Sequence, residues 1–393
     1  MTTKQTNMRF STCVRSLLFI EAFFGSCREP FYPKDVNGNP GFLVVDGFIN
    51  AGTDSSFIRL TRTASLNDSN VITELHANIY VSDGSGGIFP LTELKNGYYG
   101  ADHLDLMQGR TYRLNIQTRD GRVYASDSFP VFKTPDIDSL SWSQDSIGVS
   151  VYAYTHDATN QTKYYRWDYV ETWRYSAAVP TNIYWDGTQV LPLAPADQVY
   201  SCWNNDKSTS LILATSQNLT QDTIGHQLIC EVPGGSEKIS LRYSILVNQY
   251  ALTKDAFDYW TNLKANTELT GSIFDPLPSQ IVGNIHCVSN PSEQVMGFIG
   301  SSTVTSKRIF IANPELETWG YRPYYIDACD PLSKVTVSPL DPARDEKLYN
   351  YLLAPNHLYT LIDFPNSAVY IMAQNFCADC RDHGGSNQKP SFW

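Results

Sequence analysis

The cysteines of this chain are the residues whose type and spacing point most directly to chemistry, and the first of them to matter is Cys27. Lys4, Arg9 and Arg15 make a basic start, Leu17 to Phe24 form an apolar run, and Gly25-Ser26 are the small residues a signal peptidase requires before its cut. Glu21 inside the run and Phe24 three residues before the cysteine depart from the usual pattern. The run is too short to span a bilayer. Cleavage before Cys27 would leave its thiol free for a diacylglyceryl group and its amine for a further acyl chain. Residues 1–26 then read as a lipoprotein signal peptide, and 27–40, punctuated by Pro30, Pro33, Gly38 and Pro40, as a lipidated tether. Each buried CH₂ contributes about 0.8 kcal/mol, so several acyl chains hold a protein on a membrane where one would let go.

Of eight cysteines, Cys13 falls in the signal and Cys27 is spent on lipid. Cys202, Cys230, Cys287, Cys329, Cys377 and Cys380 remain, an even set that favours disulfides in an exported protein. Sequence does not resolve the pairing, and Cys202 with Cys230, bracketing an expected hairpin, is the preferred bridge. Cys377-Ala-Asp-Cys380 lacks the βαβ context of a redox motif. A zinc knuckle of Cys377, Cys380 and His383 is the lesser alternative to a structural disulfide.

Other chemistry is sparse. The chain has no Gly-x-Ser-x-Gly elbow, no His-Glu-x-x-His helix, no Walker loop and no Gly-rich dinucleotide turn, and its seven histidines lack metal-ligand spacing. Asp83-Gly84-Ser85-Gly86-Gly87 offers one acid, which suits a hairpin turn better than a calcium loop. A carboxylate pair assembled in three dimensions keeps a hydrolase open as an alternative. Tyr184, Trp185, Tyr200 and Trp203 lie in Pro- and Gly-punctuated sequence and are the ligand-binding candidates, with a glycan or peptide as the ligand class. The alternative for these rings is loop anchoring. A net charge of −11 argues against a nucleic-acid partner, and neither cofactor nor metal is expected.

The elements that must position these residues are mainly β. Short alternating runs over 41–134 (Phe42 to Ile49, Phe57 to Thr63, Ala77 to Ser82, Tyr112 to Ile116, Val123 to Phe129) predict an immunoglobulin- or fibronectin-like β-sandwich. Residues 135–393 predict a larger β-rich domain. In its strand Tyr164 to Tyr175, Tyr165, Trp167, Tyr169, Trp173 and Tyr175 share one face, expected as sandwich core and alternatively as a stacking platform. Ile239 to Val247 marks a second strand, and Ala368 to Met372 a last one. Short helices are expected near 253–265, capped by Thr253, and near 342–353, opened by Asp341-Pro342.

The closing run Cys377-Ala378-Asp379-Cys380-Arg381, Gly384-Gly385 and Lys389-Pro390-Ser391-Phe392-Trp393 resembles the end of the domain-of-unknown-function 4249 family. Val44-Val45-Asp46-Gly47, Tyr243 to Tyr250, Tyr259-Trp260, Gly271 to Pro276, Ile281-Val282-Gly283-Asn284-Ile285 and Val295-Met296-Gly297-Phe298 agree with it in order. The resemblance implies a lipoprotein of the Bacteroidota outer membrane, anchored through lipid only, beside a TonB-dependent β-barrel transporter. It carries no catalytic residues. Arg28-Glu29-Pro30 leaves the membrane face open, with the cell surface preferred. Asp138-Ser139-Leu140, Asp145-Ser146-Ile147 and Asp222-Thr223-Ile224 match the O-glycosylation triplet of that group. The function expected is a non-enzymatic accessory or ligand-presenting partner of a transporter, with a structural or adhesive envelope protein as the alternative and an envelope hydrolase as the second.

Overall fold

Alternation of apolar and polar residues builds nearly every element of the chain. The structure is a computed structural model and describes residues 41–64, 71–268, 281–317, 329, 334–367 and 369–393. The fold is mainly β, in three bodies with their own cores.

The first body is a closed barrel where a sandwich was expected. Eight strands run round it in the order Thr111–Gln117, Asn78–Asp83, Ile88–Glu93, Tyr98–Ala101, Ser56–Arg62, Leu43–Asn50, Ser301–Ser302 and Phe129–Phe132, which returns to Thr111–Gln117. Their inward residues, among them Leu43, Val45, Ile58, Leu60, Ile79, Val81, Leu114 and Ile116, fill the interior. Closure depends on Ser301–Ser302, which pairs in parallel with the first strand on one side and with Phe129–Phe132 on the other. Two serines lying far beyond the other barrel strands, which end at Phe132, have no periodicity that sequence reading can detect, so two open edges looked like a sandwich. Ile285–Cys287 and Val295–Met296 also join this sheet, so the first body is not confined to 41–134.

The segment 281–300 is held against the barrel by close backbone approach. A Cβ on Gly283 would lie 1.8 Å from the carbonyl oxygen of Gly297, and Gly297, at φ +133°, stands where a Cβ would lie 2.1 Å from the carbonyl oxygen of Val45. Asn284 bonds both the N–H and the C=O of Ile299 at 2.8 Å. Glu293 accepts from Tyr124 Oη at 2.6 Å and from Arg122 at 3.1 Å.

The sandwich lies in the second body. A sheet of Ile137–Gln144, Gly148–Asp157 and Asp222–Pro233 packs on a five-stranded sheet in which Tyr164–Ser176 is central, paired with Arg242–Ala251 on one side and with Ser201–Lys207 and Ile212–Thr215 on the other. Val304–Ala312 continues the sheet beyond Arg242–Ala251. The rings of Tyr165, Trp167, Trp173 and Tyr175 are buried core with Val149, Val151 and Ala153, and Tyr169 packs half-buried against them, in keeping with the core expectation for this face. Trp167 donates its indole N–H to Gln249 Oε1 at 2.8 Å.

Helix α1 (Lys254–Glu268) begins where Thr253 Oγ1 accepts from the Ala256 N–H at 3.0 Å, as its sequence predicts. Helix α2 (Arg344–Leu352) starts two residues after Pro342 and buries Leu348 and Leu352. It covers the third body, a sheet of Val335–Val337, Tyr359–Asp363 and Tyr370–Gln374 joined by the ribbon Ile183–Trp185 and Val190–Pro192.

Barrel and sandwich meet at a hydrogen-bonded joint. Buried Thr134 Oγ1 donates to the Thr303 carbonyl and accepts from the Ala251 N–H at 3.0 Å, while Gln249 Nε2 donates to the Pro135 carbonyl at 2.8 Å.

Gly283→Ala should destabilise the chain by about 1–3 kcal/mol or more, because the clash is with backbone that has no rotamer to yield. Thermal unfolding of the variant beside Gly84→Ala, where a Cβ meets nothing within 4 Å, checks it.

Candidate functional site

Cys27 lies outside the described residues. The remaining cysteines pair as Cys202–Cys380 and Cys329–Cys377, while Cys230 and Cys287 are buried free thiols. The expected Cys202–Cys230 bridge is therefore corrected. Its premise, a hairpin, fails because Ser201–Lys207 and Asp222–Pro233 belong to different sheets: Cys202 stands opposite Tyr175, and Cys230 opposite Val151. The two cysteines of Cys377-Ala-Asp-Cys380 hold different distant partners, which leaves neither a redox pair nor a zinc knuckle. His383 Nε2 contacts the Phe376 carbonyl instead, at 2.8 Å.

The four candidate aromatics do not form one site. Trp185 is core of the third body, 5% exposed, and Tyr200 packs against the sandwich core. Tyr184 is exposed on the ribbon opposite Leu191, and Trp203 lies on the outer face of the five-stranded sheet.

A buried polar cluster went unread in the sequence. Glu171 sits at an odd position of the central strand, hence on the ring face, and is 4% exposed. Tyr243 Oη donates to it at 2.5 Å, Lys238 Nζ forms an ion pair with it, and Cys230 Sγ lies 3.7 Å away. A lone carboxylate in a row of rings was the available signal. With every member partnered, the cluster reads as structural. Burial, then the Glu171 charge, pushes the Cys230 thiol up to about 12, and burial holds the Tyr243 phenol well above its usual range.

One candidate ligand site is a cleft of about 520 Å³ between barrel and helix α1. Helical spacing places Asp255, Asp258, Tyr259 and Asn262 on its one wall. Asp127, Phe129, Asn284 and Phe298 belong to the opposite wall, which Val282 and Gly283 extend toward a second hollow lined by His286 and Val295. Tyr259 and Phe298 rings lie 5.3 Å apart. Asp127 faces His286 Nε2 at 3.2 Å and Asp258 pairs with Lys254, so the cleft combines carboxylate and amide acceptors with aromatic surface. Such a mixture suits recognition of a polar ligand with an apolar body. Among the described residues no cluster of His, Cys, Asp and Glu could hold a metal ion.

Stability should fall above pH 9. Cys230, Tyr124 and Tyr175, each pushed up to about 12 chiefly by burial, hold protons more tightly folded than unfolded. Their contribution is complete below the unfolded values, 9.0 for the thiol and 10.0 for the phenols, and is lost as the pH climbs toward 12. Denaturant midpoints from pH 8 to 11 should decline, and less steeply in Cys230→Ser.

The family described as domain of unknown function (DUF4249) matches residues 28–308, which takes in the barrel, most of the sandwich, α1 and the cleft. No curated protein matches the chain. Among solved structures, one titled "Complete structure of manganese lipoxygenase of Gaeumannomyces graminis and partial structure of zonadhesin of Komagataella pastoris" is 9% identical and covers 55% of this chain and 89% of that one. Its TM-score of 0.16 carries no statement about fold or activity. With the family match spanning well over half of its length, the chain belongs to the DUF4249 family.

Proposed function

We propose that the protein is a non-enzymatic outer-membrane lipoprotein, anchored through Cys27, that binds ligand in the α1 cleft and presents it to a β-barrel transporter. One observation carries the ligand-binding part of this reading. Three stretches far apart in sequence, 127–130, 253–262 and 281–300, converge on a single open cleft that offers acceptors and rings together. The basic, apolar and small-residue run before Cys27 supports the anchor. The envelope setting and the transporter rest on what the resemblance in sequence implies, namely lipoproteins beside β-barrel transporters.

The joint around Thr134 favours the second reading, a structural or adhesive envelope protein, because a locked joint suits a spacer.

Solubilised outer membrane should yield a β-barrel partner on affinity capture of the tagged protein. Asp255→Ala/Asn262→Ala, which alters two exposed cleft residues, should lower that recovery about tenfold or more if they belong to the contact or to a ligand bridging it. Recovery of other envelope proteins without any barrel would favour the second reading. Cys27→Ser should shift the protein from the membrane to the soluble fraction, and membrane retention of that variant would defeat the anchor.

A further inference from the structure

The outer face of the five-stranded sheet carries three arginines that have no carboxylate partner among the described residues. Arg174 and Arg242 stand directly opposite one another on adjacent strands, where like charges oppose pairing. Trp203 extends the row on the next strand, and Arg308 lies opposite Leu246 on the far side. Aromatic rings hold these guanidinium groups: Arg174 is 5.9 Å from the Trp203 ring centre, Arg242 is 5.4 Å from that of Trp393, and Arg308 is 3.6 Å from that of Phe392. Cation–π contact offsets part of the repulsion but supplies no acceptor.

The side-chain bonds that exist are to hydroxyls. Arg174 donates to Ser201 Oγ at 3.0 Å and Arg308 to Ser244 Oγ at 2.8 Å. None of the three arginines has an ion-pair partner among the described residues, although the chain holds 40 acids against 29 bases. The buried indole N–H of Trp203 also lacks an acceptor among the described residues. Burial pulls the Arg308 guanidinium below its ordinary range, so a nearby anion would favour its charged form.

We propose that this face docks an acidic segment of a partner protein, with its carboxylates on Arg174, Arg242 and Arg308. The charge complement is set by three cations, without ion-pair partners among the described residues, on an otherwise acidic molecule. Planar guanidinium forks fixed against rings match carboxylates in bidentate geometry. A polypeptide is favoured over other anions because the face already seats one. Trp203 exchanges backbone hydrogen bonds with Ser386 at 2.8 and 2.9 Å, and Phe392 and Trp393 lie among the arginines. The surface is separate from the α1 cleft and does not depend on it.

Fluorescence anisotropy of a labelled octaglutamate peptide titrated with the full chain in detergent tests the assignment. The peptide should bind at low salt and release as salt rises, and Arg174→Gln/Arg242→Gln should weaken it at least tenfold without lowering the melting temperature, since opposed like charges are removed. Arg242→Lys, which keeps the charge but loses the bidentate fork, should bind between wild type and the double variant. Equal affinity in wild type and the double variant would overturn the proposal, as would a lower melting temperature with unchanged affinity, which would make the arginines anchors of the Phe392-Trp393 segment. Tighter binding of a sulfated hexasaccharide or of phosphatidylglycerol vesicles than of octaglutamate would overturn the choice of an acidic polypeptide.

Discussion

Period-two geometry of the strand Tyr164–Ser176 is the constraint on which the second body rests. It is paired along both edges, so its side chains can only point into the sandwich or out of it. The inward set brings large rings and one carboxylate, and the core must both fill around the rings and satisfy Glu171. Lys238, Tyr243 and Cys230 are placed to do so. The outward set seats α1, where the Arg166 guanidinium lies between the rings of Tyr250 and Trp260 at 4.6 and 4.8 Å, and farther along gives the arginine row. Core, helix position and charged face thus follow from one strand read on its two sides.

The barrel has a different logic. Its strands are individually short, and closure removes the exposed edges that would otherwise pair with other chains. A segment arriving late in the sequence completes the ring, and the same segment supplies one wall of the cleft. Its glycines are therefore steric requirements. Where two backbones pass this closely, no side chain fits between them.

Local features were legible in the sequence and non-local ones were not. The alternation over Tyr164 to Tyr175, the strand through Tyr243 and Val247, and the Thr253 cap all translate directly into observed elements, because neighbours in sequence determine them. Ser301–Ser302 is too short to carry a period, and its partners lie at positions 49–50 and 131–132. The disulfide partners were hidden for the same reason: Cys202 meets a residue 178 positions away. Cleft residues such as Asp127 and Asn262 look like ordinary solvated polar positions until the fold sets them face to face. Glu171 is the exception, since its parity was visible and only its company of rings distracted from it.

The two disulfides are nested. Cys202–Cys380 encloses a covalent loop, and Cys329–Cys377 closes a smaller one inside it. A single peptide-bond cut anywhere between 203 and 379 consequently leaves both pieces joined, so a protease nick in this span cannot by itself shed either fragment. That keeps the arginine face and the Phe392-Trp393 segment on the same molecule even after the intervening chain is opened.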